Sequence, residues 1–259
     1  MEKITINKIL NKKNKTPIAC LSAYTKDIAQ IVDRHCDIIL VGDSLGMVLY
    51  GMKSTRGVKL ETMILHAKAV KQSTTRSLVV FDMPYKTYSN KFNAYKNVKK
   101  IMKLTKCDAV KLEGGKKIIN IVKYLTSKGI PVMGHIGLLP QSSSSFKVKG
   151  KSLNQRKTIF EDAMLLSKAG VFSIILECVV EDLAKLITKS VSIPTIGIGA
   201  SKYCDGQILV INDMLGLSSF YPKFVKRYSN LKKIIENSIK RYVRDVKHSR
   251  FPNTKNSYK

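Results

Sequence analysis

The chain has 259 residues, of which 44% are hydrophobic, and it carries a formal net charge of +28. Its length is close to the roughly 250 residues of one (β/α)8 barrel, and it contains no apolar run of about 18 residues that would predict a membrane span. The N-terminus lacks the apolar segment of a secretory signal. These features argue against a membrane or secreted protein, and the expected location is cytoplasmic.

Lysine is spread along the whole chain, and the sequence has neither an arginine-rich block nor a tryptophan. The preferred interpretation is a set of solvated lysines on outer helices. A basic nucleic-acid-binding protein remains the alternative from a different class, and salt-sensitive duplex binding would identify it. The five cysteines are scattered and form no C-x-x-C pair, so we expect free, buried thiols rather than a disulfide or zinc framework.

Short apolar runs alternate with helical patterns along the chain. The predicted strands cover residues 17–24, 38–43, 78–83, 109–113, 131–137, 172–177, 193–200 and 207–211. The predicted helices cover residues 3–15, 25–32, 60–72, 92–105, 114–125, 154–168 and 180–189, with a helical remainder after residue 211.

Eight strands that alternate with helices predict parallel βαβ units. The length and the strand count favour an α/β fold of the (β/α)8 TIM-barrel type over an open doubly wound sheet. An N-terminal helix would precede the barrel and a helical C-terminal extension would follow it. Because no linker and no internal repeat interrupts the pattern, we expect one domain over residues 1–259.

Two connecting segments stand out by length or composition. Residues 46–57 are dotted with glycine and are too long for a plain connector, which makes them a candidate active-site loop. Residues 141–151 are rich in Ser, Gly and Lys, a composition typical of a mobile loop. Both follow predicted strands, on the side where barrel enzymes carry their active sites.

Four apolar strands end in acidic residues, namely Asp43, Asp82, Glu113 and Glu177. A buried acid is unfavourable unless another group pairs with it. The chain has only 18 acidic residues, and a random scatter would not place four of them at strand ends. Because strand ends of a barrel face the active site, we expect these carboxylates to lie together.

Several carboxylates without a His or Cys cluster are typical of a hard cation, here Mg2+. Lys111 would point to the same side as Glu113 and would supply a fixed positive charge for an anionic substrate. Glu177 comes from the far side of the barrel and could act as a base. Together these roles describe metal-assisted proton abstraction next to a carbonyl. His135 lies next to Gly134 and is expected to be structural or to support the site.

Each of these residues also has a purely structural interpretation. Asp43 and Ser44 could cap the next helix. Asp82, two residues before Pro84, could belong to a turn. Lys111 and Glu113 could form a structural ion pair inside the barrel.

Five segments together resemble the ketopantoate hydroxymethyltransferase family. They cover residues 40–46, 110–115, 134–141, 176–178 and 196–210. Their order and spacing nearly match the family from the N-terminal helix to the last helix, and together they are highly specific.

The resemblance implies a (β/α)8 barrel that forms a homo-oligomer, decameric in bacterial relatives. It implies transfer of a one-carbon unit from 5,10-methylenetetrahydrofolate to the oxo acid 3-methyl-2-oxobutanoate. The product would be 2-dehydropantoate, a precursor of pantothenate and coenzyme A. The implied partners are therefore a small oxo acid and a folate, with no role for nucleic acid or membrane.

The resemblance also implies a role for each acidic strand end. Mg2+ would be held by Asp43 and Asp82, and by Glu113 through water. The oxo acid would contact Asp43, Ser44, Asp82 and Lys111, and the family's proton acceptor matches Glu177. We hypothesise that Mg2+ chelation by the oxo acid acidifies its C3–H, that Glu177 removes the proton, and that the enolate attacks the folate-borne methylene.

The sequence departs from the family pattern in two loops. The segment 142–149 is a few residues shorter than in relatives, and Arg56-Gly57 replaces a pairing near which relatives carry proline. Both departures touch candidate lid or folate-side loops and leave the metal site intact. The nearest rival is another Mg2+-dependent lyase or mutase of the phosphoenolpyruvate-mutase type, which substrate-dependent release of tetrahydrofolate would exclude.

Overall fold

A computed structural model describes residues 2–143 and 147–258. Eight parallel strands form a closed barrel in which each strand pairs with its neighbours in chain order and β8 pairs with β1. The predicted (β/α)8 barrel is therefore confirmed. The strands are β1 Ile18–Ser22, β2 Ile38–Val41, β3 Leu78–Asp82, β4 Ala109–Glu113, β5 Val132–Gly137, β6 Ser173–Glu177, β7 Thr195–Ile198 and β8 Gly206–Leu209.

Helices follow the strands in the order that the sequence predicts. The α-helices are α1 Ile6–Leu10, α2 Lys26–His35, α3 Leu45–Val48, α4 Leu60–Gln72, α5 Lys91–Thr105, α6 Ile119–Ser127, α7 Leu153–Lys168, α8 Glu181–Ser190, α9 Ile211–Met214 and α10 Leu231–Lys247. Short 3-10 turns lie at Thr55–Gly57, Lys116–Ile118 and Thr254–Asn256.

Three predicted helices are shorter than expected, and one of them, predicted over residues 114–125, begins only at Ile119 after the 3-10 turn Lys116–Ile118. The first was expected over residues 3–15 but ends at Leu10, because Lys13 Nζ and the Asn14 N–H both bind Asp205 and Asn14 has a positive φ of 56°. The C-terminal remainder is not continuously helical either. Residues 215–230 separate α9 from α10, and Gly216 has a φ of 72° that ends the helical path.

Alternate residues of the strands point into the barrel and form its core. Ile4, which precedes α1, and Ile9 within α1 belong to the same core. The main-chain N–H of Ile4 also donates to the carbonyl of Arg76, just before β3. Helix α1 therefore closes the amino-terminal end of the barrel and leaves the opposite end for the site.

The chain forms two compact units. The first ends at Val210 and contains the barrel, and the second begins at Ile211 and contains α9 and α10. The expectation of a single domain over residues 1–259 stays a prediction. All five cysteines are buried and free, as predicted. Within the described residues, the helices are too short or too polar to span a membrane.

Candidate active site

The side chains predicted to form the site lie together at the carboxyl-terminal ends of neighbouring strands. Those within strands occupy the same alternating positions as the core residues below them, so they point into the barrel. They form a polar layer above the apolar core, and all but Glu177 are at most 4% exposed. The layer consists of Asp43, Asp82, Lys111, Glu113, His135 and Glu177.

Gly42 allows the chain to turn from β2 into this layer. A Cβ atom at this position would lie 2.9 Å from Ser44 Oγ and 3.9 Å from Asp82 Oδ2. A larger side chain here would displace Ser44 or fill the space beside Asp82. The glycine therefore keeps the end of β2 close to Asp82 at the end of β3.

Lys111 is the central cation of the layer. Its Nζ lies 2.9 Å from both carboxylate oxygens of Asp82 and 3.6 Å from Glu113 Oε1. Burial alone would lower the pKa of Lys111, but the charges of Asp82, Glu113 and Asp43 raise it above its ordinary value. Lys111 is therefore charged, and its main partner is Asp82 on the adjacent strand rather than Glu113 on its own strand.

Asp43 is the least compensated acid of the layer. Burial first, and then the charge of Asp82, raise the pKa of Asp43 well above its ordinary value. Its main-chain N–H donates to Asp82 Oδ2 at 3.2 Å, and its Oδ2 accepts a hydrogen bond from Gln141 Nε2 at 2.8 Å. An additional positive charge beside Asp43 would therefore favour its ionised form.

His135 lies between two carboxylates. Its Nδ1 is 3.4 Å from Glu113 Oε1 and its Nε2 is 3.1 Å from Glu177 Oε2, although neither pair is aligned as a hydrogen bond. Burial and Lys111 lower the pKa of His135, but Glu113 and Glu177 raise it to about 9. Burial raises the pKa of Glu113, but Lys111 and His135 lower it below its ordinary value. The Glu177 side chain is 16% exposed, which makes it the most open carboxylate of the layer.

The net charge and the oxygen donors of the layer indicate whether it could bind a cation. Four carboxylates surround one lysine and one histidine, so an excess of two negative charges remains when all of them are ionised. Within the described part of the chain, no three His, Cys, Asp or Glu side chains converge as a ready-made metal site. Mg2+ does not require one, since it often binds through one or two carboxylates and completes its shell with water and substrate. The donor set and the excess charge therefore fit Mg2+.

Ser44 was predicted to contact substrate or to cap the next helix. It occupies the N-cap position of α3, but its side chain makes no capping hydrogen bond. Its Oγ instead lies 2.8 Å from the hydroxyl of Tyr24, which follows β1. The Asp82 carboxylate likewise bonds Lys111 and the Asp43 N–H rather than serving the turn at Met83–Pro84. Neither side chain makes the capping or turn hydrogen bond of the structural alternatives, and the site roles of both residues stay predictions.

Two further residues, Gln141 and Tyr88, contact the layer and have no role predicted from the sequence. Gln141 ends the segment 134–141, so its position in a family motif was the available signal. The Tyr88 hydroxyl donates to Gln141 Oε1 at 2.6 Å. Burial, and then the charge of Glu113, raise the pKa of Tyr88, so its hydroxyl stays protonated. No sequence pattern around Tyr88 indicates this contact.

The two candidate loops are described to different extents. The segment 46–57 contains most of α3 and one 3-10 turn, and Arg56 Nε donates to the carbonyl of Gln141 at 2.8 Å. In the other loop, residues 144–146 lie outside the described residues, so the predicted mobility and the shortened segment 142–149 stay predictions.

The fold and the layer define a class of protein: a (β/α)8 barrel with an acid-rich site at the carboxyl-terminal ends of its strands. Solved structures share this fold at about 10% sequence identity. A phosphonopyruvate hydrolase in complex with oxalate and Mg2+ aligns with a TM-score of 0.61, covering 97% of this chain and 93% of that one. A phosphoenolpyruvate phosphomutase from Streptomyces platensis subsp. rosaceus aligns with a TM-score of 0.62 over 95% and 88%.

Sequence relatives are much closer. Residues 3–254 match the family model of ketopantoate hydroxymethyltransferase. The 3-methyl-2-oxobutanoate hydroxymethyltransferase of Pelagibacter ubique is 57% identical over 254 residues, which cover 97% of this chain and 99% of that protein. The enzyme of the same name from Anaplasma marginale is 49% identical over 98% and 93%. The chain belongs to the ketopantoate hydroxymethyltransferase family, and the resemblance seen in the sequence is confirmed.

Proposed function

We propose that this enzyme transfers a hydroxymethyl group from 5,10-methylenetetrahydrofolate to 3-methyl-2-oxobutanoate and so forms 2-dehydropantoate for pantothenate and coenzyme A synthesis. The proposal depends mainly on where Glu177 lies in the barrel, in a chain that belongs to this family. Glu177 is the most open carboxylate of the layer and faces the same barrel interior as the acids suited to a cation.

The residues of the layer divide into three roles under this proposal. Asp43 and Asp82 would hold Mg2+, and Glu113 would support it through water. Mg2+, when bound, supplies the Lewis acidity that makes the C3–H of the oxo acid more acidic. Ser44 and Lys111, with Asp43 and Asp82, bind the oxo acid. Lys111 contributes charge without losing its proton, because the surrounding carboxylates raise its pKa.

Glu177 removes the proton from C3 of the oxo acid. His135 Nε2 lies 3.1 Å from Glu177 Oε2, and the raised pKa of His135, about 9, keeps a positive charge beside the carboxylate that accepts the proton. The resulting carbanion at C3 bonds to the methylene carbon, and both carbon–nitrogen bonds that hold this carbon in the folate break. The proton taken by Glu177 and one proton of water end on the two freed nitrogens. Water supplies the hydroxyl of the product, and tetrahydrofolate leaves.

Exchange of the C3 proton tests the role of Glu177. In D2O with Mg2+ and 3-methyl-2-oxobutanoate, the wild-type protein should exchange this proton, as followed by proton NMR. Glu177→Gln should slow the exchange by about 10²- to 10⁴-fold, the usual contribution of a general base. The matched control is Glu181→Gln, the same change at an exposed residue four positions later, which should exchange normally. Wild-type exchange rates in Glu177→Gln would refute the assignment.

Consumption of methylenetetrahydrofolate tests the reaction as a whole. It should require both Mg2+ and 3-methyl-2-oxobutanoate. A lyase or mutase of the phosphoenolpyruvate-mutase type would release no tetrahydrofolate, and the 10% identity to solved proteins of that kind shows a shared fold only.

The proposal extends to the assembly. We propose a cytoplasmic homo-oligomer, decameric as the family resemblance implies. Helix α10 supports an assembly, because Ile235, Ile239, Tyr242 and Val246 recur at helical spacing and are all exposed. A soluble monomer seldom leaves such a stripe uncovered. Light scattering coupled to size-exclusion chromatography should give the mass of about ten chains, and a monomer at micromolar concentration would contradict the proposal.

A further inference from the structure

Gln141 is buried beside the site and makes several hydrogen bonds there, although it has no role in the proposed reaction. The residue is 1% exposed, and both ends of its side-chain amide are used. Nε2 donates to Asp43 Oδ2 at 2.8 Å and to the carbonyl of Met83 at 2.9 Å. Oε1 accepts the Tyr88 hydroxyl at 2.6 Å. A reversed amide would set oxygen against oxygen at Asp43 and Met83, so these contacts allow one orientation.

The main chain of Gln141 makes two further contacts. Its N–H donates to Glu113 Oε2 at 3.1 Å, and its carbonyl accepts the Nε of Arg56 at 2.8 Å. Gln141, four positions after the end of β5, is therefore bonded to Asp43 and Glu113. It is also bonded to Arg56 in the loop after β2.

Gln141 binds one carboxylate oxygen of Asp43 and one of Glu113, and it makes no bond to the second oxygen of either residue. At Glu113, Oε2 is taken by the Gln141 N–H, while the buried Oε1 lies 3.4 Å from His135 Nδ1 and 3.6 Å from Lys111 Nζ but accepts no hydrogen bond among the described residues. At Asp43, Oδ2 is taken by Gln141 Nε2, and the hydrogen bonds of the described residues leave Oδ1 open. An orphaned buried oxygen is costly unless a ligand or water satisfies it.

We propose that Gln141 is a positioning residue that presents one oxygen each of Asp43 and Glu113 to a divalent cation, with Tyr88 fixing the direction of its amide. The proposal rests on the proposed function, in which these acids hold Mg2+ directly or through water. Gln141 touches neither metal nor substrate and acts by restricting the rotation of the two carboxylates.

Three variants separate this role from ordinary structural support. Gln141→Met keeps the length and the main-chain contacts but removes the amide. Tyr88→Phe keeps the amide but removes the hydroxyl that orients it. Ser77→Ala is the control, because the Ser77 hydroxyl is also buried and donates to two carbonyls, those of Asp33 and Cys36. Those contacts lie at the amino-terminal end of the barrel, before β3.

The readout is Mn2+ affinity, measured from the electron paramagnetic resonance of free Mn2+ in the absence of turnover. Loss of a group that orients a metal ligand typically weakens metal binding 10- to 100-fold, and we expect a loss of about this size for Gln141→Met. Tyr88→Phe should give a smaller loss in the same direction. Ser77→Ala should bind Mn2+ as the wild-type protein does while losing a comparable amount of thermal stability.

Each outcome has a distinct meaning. Wild-type affinity in folded Gln141→Met overturns the positioning role and leaves the proposed function standing. If Gln141→Met fails to fold, Tyr88→Phe decides, and wild-type affinity in that variant overturns the proposal. An equal loss in Ser77→Ala also overturns it, because the effect would then be general destabilisation. A wild-type protein that binds no divalent cation refutes the proposed metal chemistry and this inference with it.

Discussion

The two ends of the barrel contain buried acids in contrasting surroundings. At the amino-terminal end, the Asp33 carboxylate accepts hydrogen bonds from the main-chain N–H groups of Thr75, Arg76 and Ser77. Burial raises its pKa, but these bonds lower it below its ordinary value. Asp108, which is half-buried, is paired with Lys3 and Lys71 and accepts the Val79 N–H, and its pKa is also lowered.

At the carboxyl-terminal end the acids have fewer main-chain N–H partners. Asp82 accepts one, from Asp43, and Glu113 accepts one, from Gln141, while among the described residues no main-chain N–H reaches the Asp43 carboxylate. Asp43 has a raised pKa, and Glu113 keeps one buried oxygen without a hydrogen bond among the described residues. Parallel strands explain the difference. Strands begin with N–H groups that acids at the amino-terminal end can bind, and they end in carbonyl groups that cannot donate to an acid. Acids at one end stabilise the fold, and acids at the other end remain available to ligands.

Removal of Lys111 should have the largest effect on stability. Lys111→Met leaves Asp82, Glu113 and Asp43 without their shared cation. Breaking a buried ion pair from one side costs about 3–5 kcal/mol, and urea denaturation should show a loss of this size in the free energy of unfolding. The matched change at the other end, Lys13→Met, should cost less, because Asp205 retains the N–H groups of Asn14 and Thr195. Equal losses would remove the contrast between the two ends.

Asp33→Asn should have the next largest effect. The amide would direct its NH2 group at main-chain N–H donors that now bind a carboxylate. Hydrogen bonds to charged groups contribute about 1.5–3 kcal/mol each, and we expect the free energy of unfolding to fall by about that amount. Metal binding and C3 proton exchange per folded molecule should not change. A variant with wild-type stability would show that Asp33 is not a structural acid.

The same substitution at the other end should act in the opposite direction. Asp43→Asn removes a poorly compensated charge, and its carbonyl can still accept from Gln141 Nε2. Replacing residues that function holds in unfavourable surroundings commonly raises stability by roughly 0.5–2 kcal/mol. We expect a gain of this order in urea denaturation without metal, together with loss of Mn2+ binding. A destabilised Asp43→Asn protein would contradict the distinction between the two ends.

The pH dependence of stability should show the smallest effect. A carboxyl group whose pKa is lowered by folding stabilises the folded state above its unfolded pKa, here near 3.8 for Asp33, and this contribution disappears as the pH falls through the folded value. The free energy of unfolding of the wild-type protein should therefore decrease as the pH drops below about 4. Asp33→Asn should show a shallower decrease, and identical slopes would contradict the low pKa of Asp33.

Much of the site was predictable because it depends on position within each strand. The sequence alone shows the apolar runs that end at Asp43, Asp82, Glu113 and Glu177. The period of two along a strand predicts that Lys111 and Glu113 share a face. The partners of these groups were not predictable. The sequence suggests a Lys111–Glu113 pair as one alternative, whereas the shortest contacts of Lys111 are to Asp82.

Contacts between distant segments were also missed. His135 lies between Glu113 and Glu177 because the register places Glu113 beside His135 and Glu177 beside Gly137. Gln141 reaches Asp43 across 98 positions of sequence and Glu113 across 28. A pattern of hydrophobicity does not predict the register between strands. Nor does it predict which strand ends a loop residue such as Gln141 will contact.

The sequence by itself determined the order of the elements, the barrel class, the family and the residues that carry charge into the site. These follow from local periodicity and from motifs that the chain displays directly. The tertiary structure alone decided which carboxylates are satisfied and which are left open. That distinction depends on the strand ends and loops that meet around each acid, and closure of the barrel brings those groups together.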